Sequence, residues 1–255
     1  MILRRIAKGI KNQDWGVVLV ELVVVVLGIF IALQVDNWQK ERQDRQVERL
    51  YLQELLEDLQ HDQNNLNNRI ERSNIILISL IGFLEQAAME TPSWSVQNLN
   101  ENFNAVQRMP TFIPNERAFT NITGSGDLKI IRNRELKNAL AVYYAEGKVM
   151  VLIQNTHEME LVQNFQPYII EHMEYQAVYY NRIDDLALPP AMDEDRILEI
   201  YQTREFRNII TQKWVIMTDI LAQFRSMKDL NQGLIEILEN EIGIKSSETP
   251  EPTQP

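Results

Sequence analysis

The sequence of 255 residues contains no cysteine and only three histidines. Without cysteine the chain has neither disulfide bonds nor thiolate ligands for a metal ion. The segment His157 to Glu160 lacks the second histidine of a His-Glu-x-x-His zinc protease, and no Gly-x-Ser-x-Gly elbow presents a nucleophile. We therefore expect no catalytic residues, no metal site and no cofactor, and we expect that the chain is not an enzyme.

Basic side chains are also scarce. Lysine and arginine number 25 against 36 aspartates and glutamates, for a formal net charge of −11. Nucleic-acid-binding proteins need a basic footprint, so this balance argues against a nucleic-acid partner. The exception is the tail of residues 1–14, whose basic residues are Arg4, Arg5, Lys8 and Lys11. A short basic tail before an apolar segment is suited to contact with anionic lipid headgroups.

One long apolar run is present, from Gly16 to Leu33, with Trp15 and Trp38 outside its ends. A membrane-spanning helix needs about 17–25 apolar residues. At about 1.5 Å per residue, the two tryptophans are roughly 34 Å apart, which places one indole at each interface. A cleaved signal peptide would need a small-residue cleavage site, and none follows. We predict a single transmembrane anchor over residues 15–38, with these two tryptophans as its interfacial belt.

The anchor carries one acid, Glu21. At about 100° per residue, Glu21, Val25, Gly28 and Ala32 fall on one helix face, and the last two form a small-xxx-small pair that permits close helix packing. An intramembrane carboxylate usually faces a partner or a wet cavity, which makes this face a predicted helix-packing surface with a protonatable group. The alternative that stays open is that Glu21 lies close enough to the N-terminal interface to snorkel or to remain protonated.

The orientation of the anchor is predicted from its flanks. Four basic residues precede it, and four follow it, interleaved with acids, between Lys40 and Arg49. Because the N-terminal four are the more compact cluster, we expect the N-terminus to lie inside. The body would then be periplasmic and the chain a single-pass protein of a bacterial inner (cytoplasmic) membrane.

The segment after the anchor has a helical pattern. Apolar residues recur every three or four positions from Val47 to Ile70, which predicts that the anchor continues into a long helix. Residues 60–74 are mostly polar and form either a solvated stalk or a coiled-coil face turned to a partner. Residues 75–84 are apolar but too few to span a membrane, so we expect them to be buried in the body.

Further helices are indicated downstream. Asn133 is a candidate N-cap for a helix that begins at Arg134, and Pro167 should kink or end that helix. Asp193 or Glu194 is expected to open the last long helix. The predicted core stripe of that helix consists of Phe206, Ile209, Ile210, Trp214, Met217, Ile220, Leu221, Phe224 and Met227.

These patterns predict an all-α fold without strands. It comprises the basic tail (1–14), the anchor (15–38), an elongated helical-bundle body (39–245) and a disordered tail (246–255). Asp58 and His61 lie on one face of the predicted long helix. A di-iron bundle needs several such pairs, so we interpret this one as part of a solvated face.

Three stretches resemble a known family. They are the opening WGVVLVELVVVVLGIFIALQVDNWQKERQDR, the helix RLYLQELLEDLQHD and the block FTNITGSGDLKIIRNRELKNALAVYY. Together they are similar to the DUF6090 membrane proteins, an uncharacterised bacterial family. The resemblance implies a single-pass protein of unknown function, and it supplies no catalytic residues.

The expected function is therefore non-enzymatic. We predict a membrane-anchored scaffold, sensor or partner-binding subunit, in contact with the lipid bilayer and with a protein partner or a second copy through the transmembrane helix. The second hypothesis is a subunit of an ion-coupled membrane complex that uses Glu21 as its protonatable group. A hydrolase is the third, and it would need a deep pocket with convergent histidines or carboxylates.

Overall fold

The computed structural model describes residues 15–91, 93–172 and 199–243. All regular structure in these residues is helical, which confirms the predicted all-α fold. The helices are α1 (Trp15–Ala88), α2 (Val96–Val106), α3 (Arg117–Gly124), α4 (Arg134–Glu160), α5 (Gln166–His172) and α6 (Arg204–Ile242), with a 3₁₀ turn at Asp127–Lys129 and a π-helix at Leu161–Phe165. The predicted basic tail (1–14) and disordered tail (246–255) lie outside the described residues.

Helix α1 runs without interruption from the anchor into the body, as predicted. Its 74 residues extend over roughly 110 Å at about 1.5 Å per residue. Between Gly28 and Gly82 the helix contains neither glycine nor proline, the two residues that weaken or kink a helix most strongly. Most described side chains of the anchor are exposed, whereas one side of the helix is buried from Leu52 to Ala87.

The body is a bundle of three long helices, α1, α4 and α6. Asn231 Nδ2 of α6 donates a hydrogen bond to the carbonyl oxygen of Leu59 (3.0 Å). Just before α6 begins, Gln202 Nε2 donates to the carbonyl oxygen of Met89 (3.2 Å) at the end of α1. Residue numbers therefore rise along one helix as they fall along the other, and α1 and α6 are antiparallel.

Helix α4 is also antiparallel to α6 and is thus parallel to α1. Its first turn lies beside the end of α6, where Asn133 Nδ2 donates to Glu241 Oε1 (2.6 Å). Its last turn lies beside the middle of α6, with His157 Nε2 2.8 Å from Asp219 Oδ2. Asn133 caps α4 as predicted, because its side chain accepts from the backbone N–H of Leu136.

The polar stretch of residues 60–74 belongs to the bundle. Asp62, Leu66 and Ser73 are buried in it, so the stretch is not a solvated stalk. Residues 75–84 are buried on one side only. Ile76, Leu80 and Phe83 are in the core, and Ile75, Ile78 and Ile81 are exposed.

Aromatic side chains fill the end of the bundle that is farthest from the anchor. Phe83 lies at the centre, with ring centroids of Trp94, Phe103, Tyr201 and Phe206 between 5.3 and 6.0 Å away. Such edge-to-face and stacked pairs add to the free energy of apolar burial. The cluster joins α1, α2 and the start of α6 at this end.

The last long helix begins later than expected. Asp193 and Glu194 lie outside the described residues, but a turn at residues 202–203 precedes α6, which begins at Arg204. The hydroxyl of Thr203 caps α6 by accepting from the backbone N–H of Phe206 (3.1 Å). Pro167 does not end the preceding helical segment, since it lies within α5 directly after the π-helix.

Candidate functional site

The anchor of residues 15–38 is not covered by the rest of the chain. Trp15 and Trp38 are 67% and 63% exposed, and the apolar side chains between them are mostly exposed as well. The described residues contain one helix long and apolar enough to cross a membrane, and it is this one. Beyond it, the Arg42 guanidinium lies 5.9 Å from the centre of the Trp38 ring, within reach of a cation–π interaction.

The structure places Glu21, Val25, Gly28 and Ala32 on the uncovered surface of the anchor. Val25 is 43% exposed, and a Cβ atom added to Gly28 would meet no atom within 4 Å. Glu21 is partly exposed, but its Oε2 atom is shielded from solvent and has no hydrogen-bond partner in the described chain. The body does not reach this face, so its role in helix packing stays a prediction.

A buried carboxylate of α1, Asp58, holds the segment that leads into α3. Its Oδ1 atom accepts hydrogen bonds from Asn115 Nδ2 and Arg117 Nη2, both at 2.9 Å. Its Oδ2 atom accepts from the backbone N–H of Ala118, also at 2.9 Å. The N-cap residue of α3, Glu116, makes no side-chain cap. Asp58 therefore caps α3 from a neighbouring helix, where a negative charge is favourable.

A second buried carboxylate, Asp62, lies one turn further along α1. Both of its oxygens accept from the backbone N–H of Asn115 (3.1 and 3.0 Å), and Oδ2 also accepts from the Tyr143 hydroxyl (2.9 Å). Burial raises the pKa of Asp62 and also that of Tyr143, because both charged forms lose hydration. All four oxygens of Asp58 and Asp62 are thus engaged with donors of the chain itself, and the pair acts as a structural clamp.

The three histidines do not converge. His61 is exposed and pairs with Asn65 (3.2 Å), whereas Asp58 is buried, so the expected solvated face of Asp58 and His61 is wrong. Asp58 is buried because its carboxylate accepts hydrogen bonds from the segment of residues 115–118, which is distant in sequence. His157 contacts α6, and His172 is half-exposed beside Tyr168 (4.6 Å between ring centres). Within the described residues no cluster of three or more potential ligands is suited to a metal ion.

A buried cation, Lys213, was not among the predicted sites. It is 1% exposed, and its Nζ atom lies 5.8 Å from the centre of the Phe165 ring. With Phe165, Gln107 and Ile169 it lines a cavity of about 50 Å³. Burial lowers the pKa of Lys213 to about 7, since a desolvated ammonium is unfavourable. No ion pair among the described residues includes it.

The predicted core stripe of α6 needs one correction at this point. Trp214 was assigned to the core but is 37% exposed, and the neighbouring Lys213 takes the buried position instead. Lys213 stands three residues after Ile210 and four before Met217, both buried, so the helical spacing marked its position. Its residue type concealed this, because lysine is almost never fully buried.

A family model described as "Family of unknown function (DUF6090)" matches residues 21–165. The match covers more than half of the chain and runs from Glu21 in the anchor to the end of the π-helix. It confirms the resemblance carried by the three sequence stretches. No curated protein and no solved structure matches the chain.

Proposed function

The chain belongs to DUF6090, a family of unknown function, and from this premise we propose that it is a membrane-anchored helical scaffold that binds a protein partner. The observation that carries the proposal is the change of surface along α1. Its first 24 residues (15–38) expose apolar side chains that water disfavours, and its later part forms one side of a packed core. One continuous helix thus joins a membrane-compatible surface to a folded body.

The proposed topology follows the charges that flank the anchor. The N-terminus lies inside, and the body lies in the periplasm beyond a bacterial inner membrane. An alkaline phosphatase fused to the C-terminus tests this, since the enzyme is active only outside the cytoplasm. Active fusions are expected, and an inactive fusion with normal expression would reverse the orientation.

The body offers an apolar stripe on the outer face of α4 for a partner. Val142, Val149, Leu152 and Met159 are all exposed, by 49 to 66%. Their spacing of seven, three and seven residues places them at the a and d positions of a heptad repeat. Exposed apolar residues that follow a heptad pattern are typical of a helix that packs against another helix. This stripe supports partner binding through a coiled-coil contact.

Photo-crosslinking in the native membrane tests this contact. A photoreactive amino acid in place of Leu152 should give one predominant crosslinked species, identified by mass spectrometry as a partner or a second copy. The matched control is the same amino acid at Arg225, which is exposed on α6. The crosslink from position 152 should disappear in Val149→Glu, because a charge at an a position is unfavourable in a coiled-coil interface. Equal crosslinking from both positions would refute the proposed contact.

A second candidate function rests on Glu21. The unpartnered Oε2 atom in an apolar segment is compatible with a protonatable group of an ion-coupled membrane complex. This hypothesis predicts that Glu21→Gln abolishes activity of the complex while expression and oligomeric state stay unchanged. A variant that behaves like the wild type would remove this candidate and leave the scaffold proposal intact.

A further inference from the structure

A groove of about 570 Å³ lies between α1 and the segment that follows α2. Small-molecule sites in proteins usually have volumes of about 300–1,000 Å³. Three arginines line the groove, Arg69 and Arg72 on α1 and Arg108 after α2, and the apolar side chains of Ile75 and Met109 line it as well. The groove therefore combines a cationic side with an apolar side.

The three arginines have no acidic partner in the part of the chain that the structure describes. None of the ion pairs there includes Arg69, Arg72 or Arg108. The Nε atom of Arg69 is shielded from solvent and has no hydrogen-bond partner, and a shielded donor without an acceptor is unfavourable.

The chemistry of these side chains defines the ligand they suit. Each guanidinium is planar, always charged and able to donate two parallel hydrogen bonds to a carboxylate or a phosphate. Ile75 is 51% exposed, which leaves apolar surface beside the charges for a hydrocarbon part of the ligand. An anion with an apolar group would satisfy both sides of the groove.

The distance from the anchor excludes the headgroups of the surrounding bilayer. Arg69 lies 31 residues beyond Trp38 along the same helix, which is roughly 46 Å at about 1.5 Å per residue. The potential of anionic lipids falls off within a Debye length, about 8 Å at physiological salt. The ligand must therefore reach the groove from solution.

We infer that the groove between Arg69, Arg72 and Arg108 is a binding site for a small soluble anion, a phosphate or carboxylate that carries an apolar group. This goes beyond the scaffold proposal. The groove is separate from both the anchor and the α4 stripe, and only the exclusion of lipid headgroups rests on the proposed membrane anchor. The site adds ligand binding to the body of the protein.

Isothermal titration calorimetry on the full chain tests the inference, with the protein in nanodiscs of zwitterionic phosphatidylcholine. Phenyl phosphate serves as the probe, inorganic phosphate as the anion without an apolar group, and phenol as the neutral analogue. Phenyl phosphate should bind, and the other two compounds should bind at least about tenfold more weakly. Inorganic phosphate lacks the apolar group, and phenol lacks the charge that the arginines bind.

Charge-removing variants locate the site. Arg69→Gln combined with Arg72→Gln should weaken phenyl phosphate binding at least about tenfold, because two charge-assisted contacts are lost. The matched control combines Arg204→Gln with Arg207→Gln, an exposed pair with the same spacing on α6, and should leave the affinity within about twofold. If the first variant does not fold, Arg72→Gln with Arg108→Gln, both exposed in the wild type, replaces it.

Three outcomes would overturn the inference. They are no binding of phenyl phosphate by the folded wild type, equal binding of phenol, and equal loss of affinity in the α6 control. If inorganic phosphate binds as tightly as phenyl phosphate, the inference that the ligand carries an apolar group is refuted.

Discussion

Replacing Asp58 by alanine tests whether the buried carboxylate acts as a structural clamp. The substitution removes the acceptor for three hydrogen bonds, from Asn115, Arg117 and Ala118. The neighbouring Glu57 provides a matched control, since it is an exposed acid on the same helix. Glu57→Ala removes the same charge without removing a buried acceptor.

The three lost hydrogen bonds differ in how much they contribute to the free energy of unfolding. Ala118 is fully buried, so its N–H group would be left without an acceptor, which costs about 1–3 kcal/mol. The Asn115 amide adds about 1 kcal/mol, the usual net value of a hydrogen bond. The Arg117 side chain is 54% exposed and regains water, so the loss of its ion pair contributes little. We expect a loss of about 2–4 kcal/mol for Asp58→Ala and less than about 0.5 kcal/mol for Glu57→Ala.

Two measurements check this expectation. For a domain of about 150–250 residues, a loss of 2–4 kcal/mol lowers Tm by about 5–15 °C, as followed by circular dichroism in detergent micelles. The absence of native cysteine also allows a local measurement, because Ala118→Cys introduces the only thiol. Asp58→Ala should accelerate thiol labelling at this position about 30-fold or more, whereas Glu57→Ala should not. Equal Tm values for the two variants would show that α3 is not held by Asp58.

The other predictions concern buried groups of the bundle, and chemical unfolding in micelles measures each one. Lys213→Met should increase the free energy of unfolding at pH 7. In the wild type, the unfolded chain binds the Lys213 proton more tightly than the folded chain does, so the free energy of unfolding should rise by about 1 kcal/mol per pH unit from pH 7 towards pH 10. The same pH dependence in the variant would contradict this explanation. Gln154→Ala should lower the free energy of unfolding by about 2–4 kcal/mol. It removes Oε1, which accepts from the buried N–H of Phe112 (2.8 Å), and Nε2, which donates to the carbonyl oxygen of Phe112 (3.0 Å). A change below about 0.5 kcal/mol would argue against this role of Gln154. Gly147→Ala should destabilise by about 1 kcal/mol or more, since its Cβ would lie 2.5 Å from Pro114 Cγ. Gly233→Ala, with no atom within 4 Å, should stabilise by about 0.5–1 kcal/mol, and the same sign for both glycines would refute the packing argument.

The helical periodicity of the sequence was sufficient to predict the long elements. The apolar spacing after Val47 predicted the continuous α1, and Asn133 marked the start of α4. These features are local, because a helix is defined by residues three and four positions apart. The exposed apolar segment of α1 was likewise predictable, since length and hydropathy depend on one contiguous run.

The clamp was not predictable from local patterns. Asp58 and Asp62 lie in a stretch whose composition is typical of a solvated helix face. Their partners are Asn115 and Ala118, more than fifty residues away in sequence. Only the tertiary placement of that loop shows why two acids are buried. Lys213 presents the same difficulty, since the burial that lowers its pKa is produced by residues of other helical segments, such as Phe165 and Ile169.

The connection between the anchor and the body bears on the proposed scaffold role. Contacts with the body begin at Arg45, only seven residues after Trp38, where Arg45 Nη2 donates to the carbonyl oxygen of Ile130 (3.4 Å). Glu48 Oε1 then accepts from the backbone N–H of Arg132 (2.6 Å). One turn further on, the Tyr51 hydroxyl donates to Asp127 Oδ2 (2.8 Å). Between Gly28 and Gly82, the stretch of α1 that crosses this junction has no glycine or proline to bend it. One unbroken helix therefore joins the anchor to the body, so a partner that bound both the anchor face and the α4 stripe, as proposed, would have to match the angle between them.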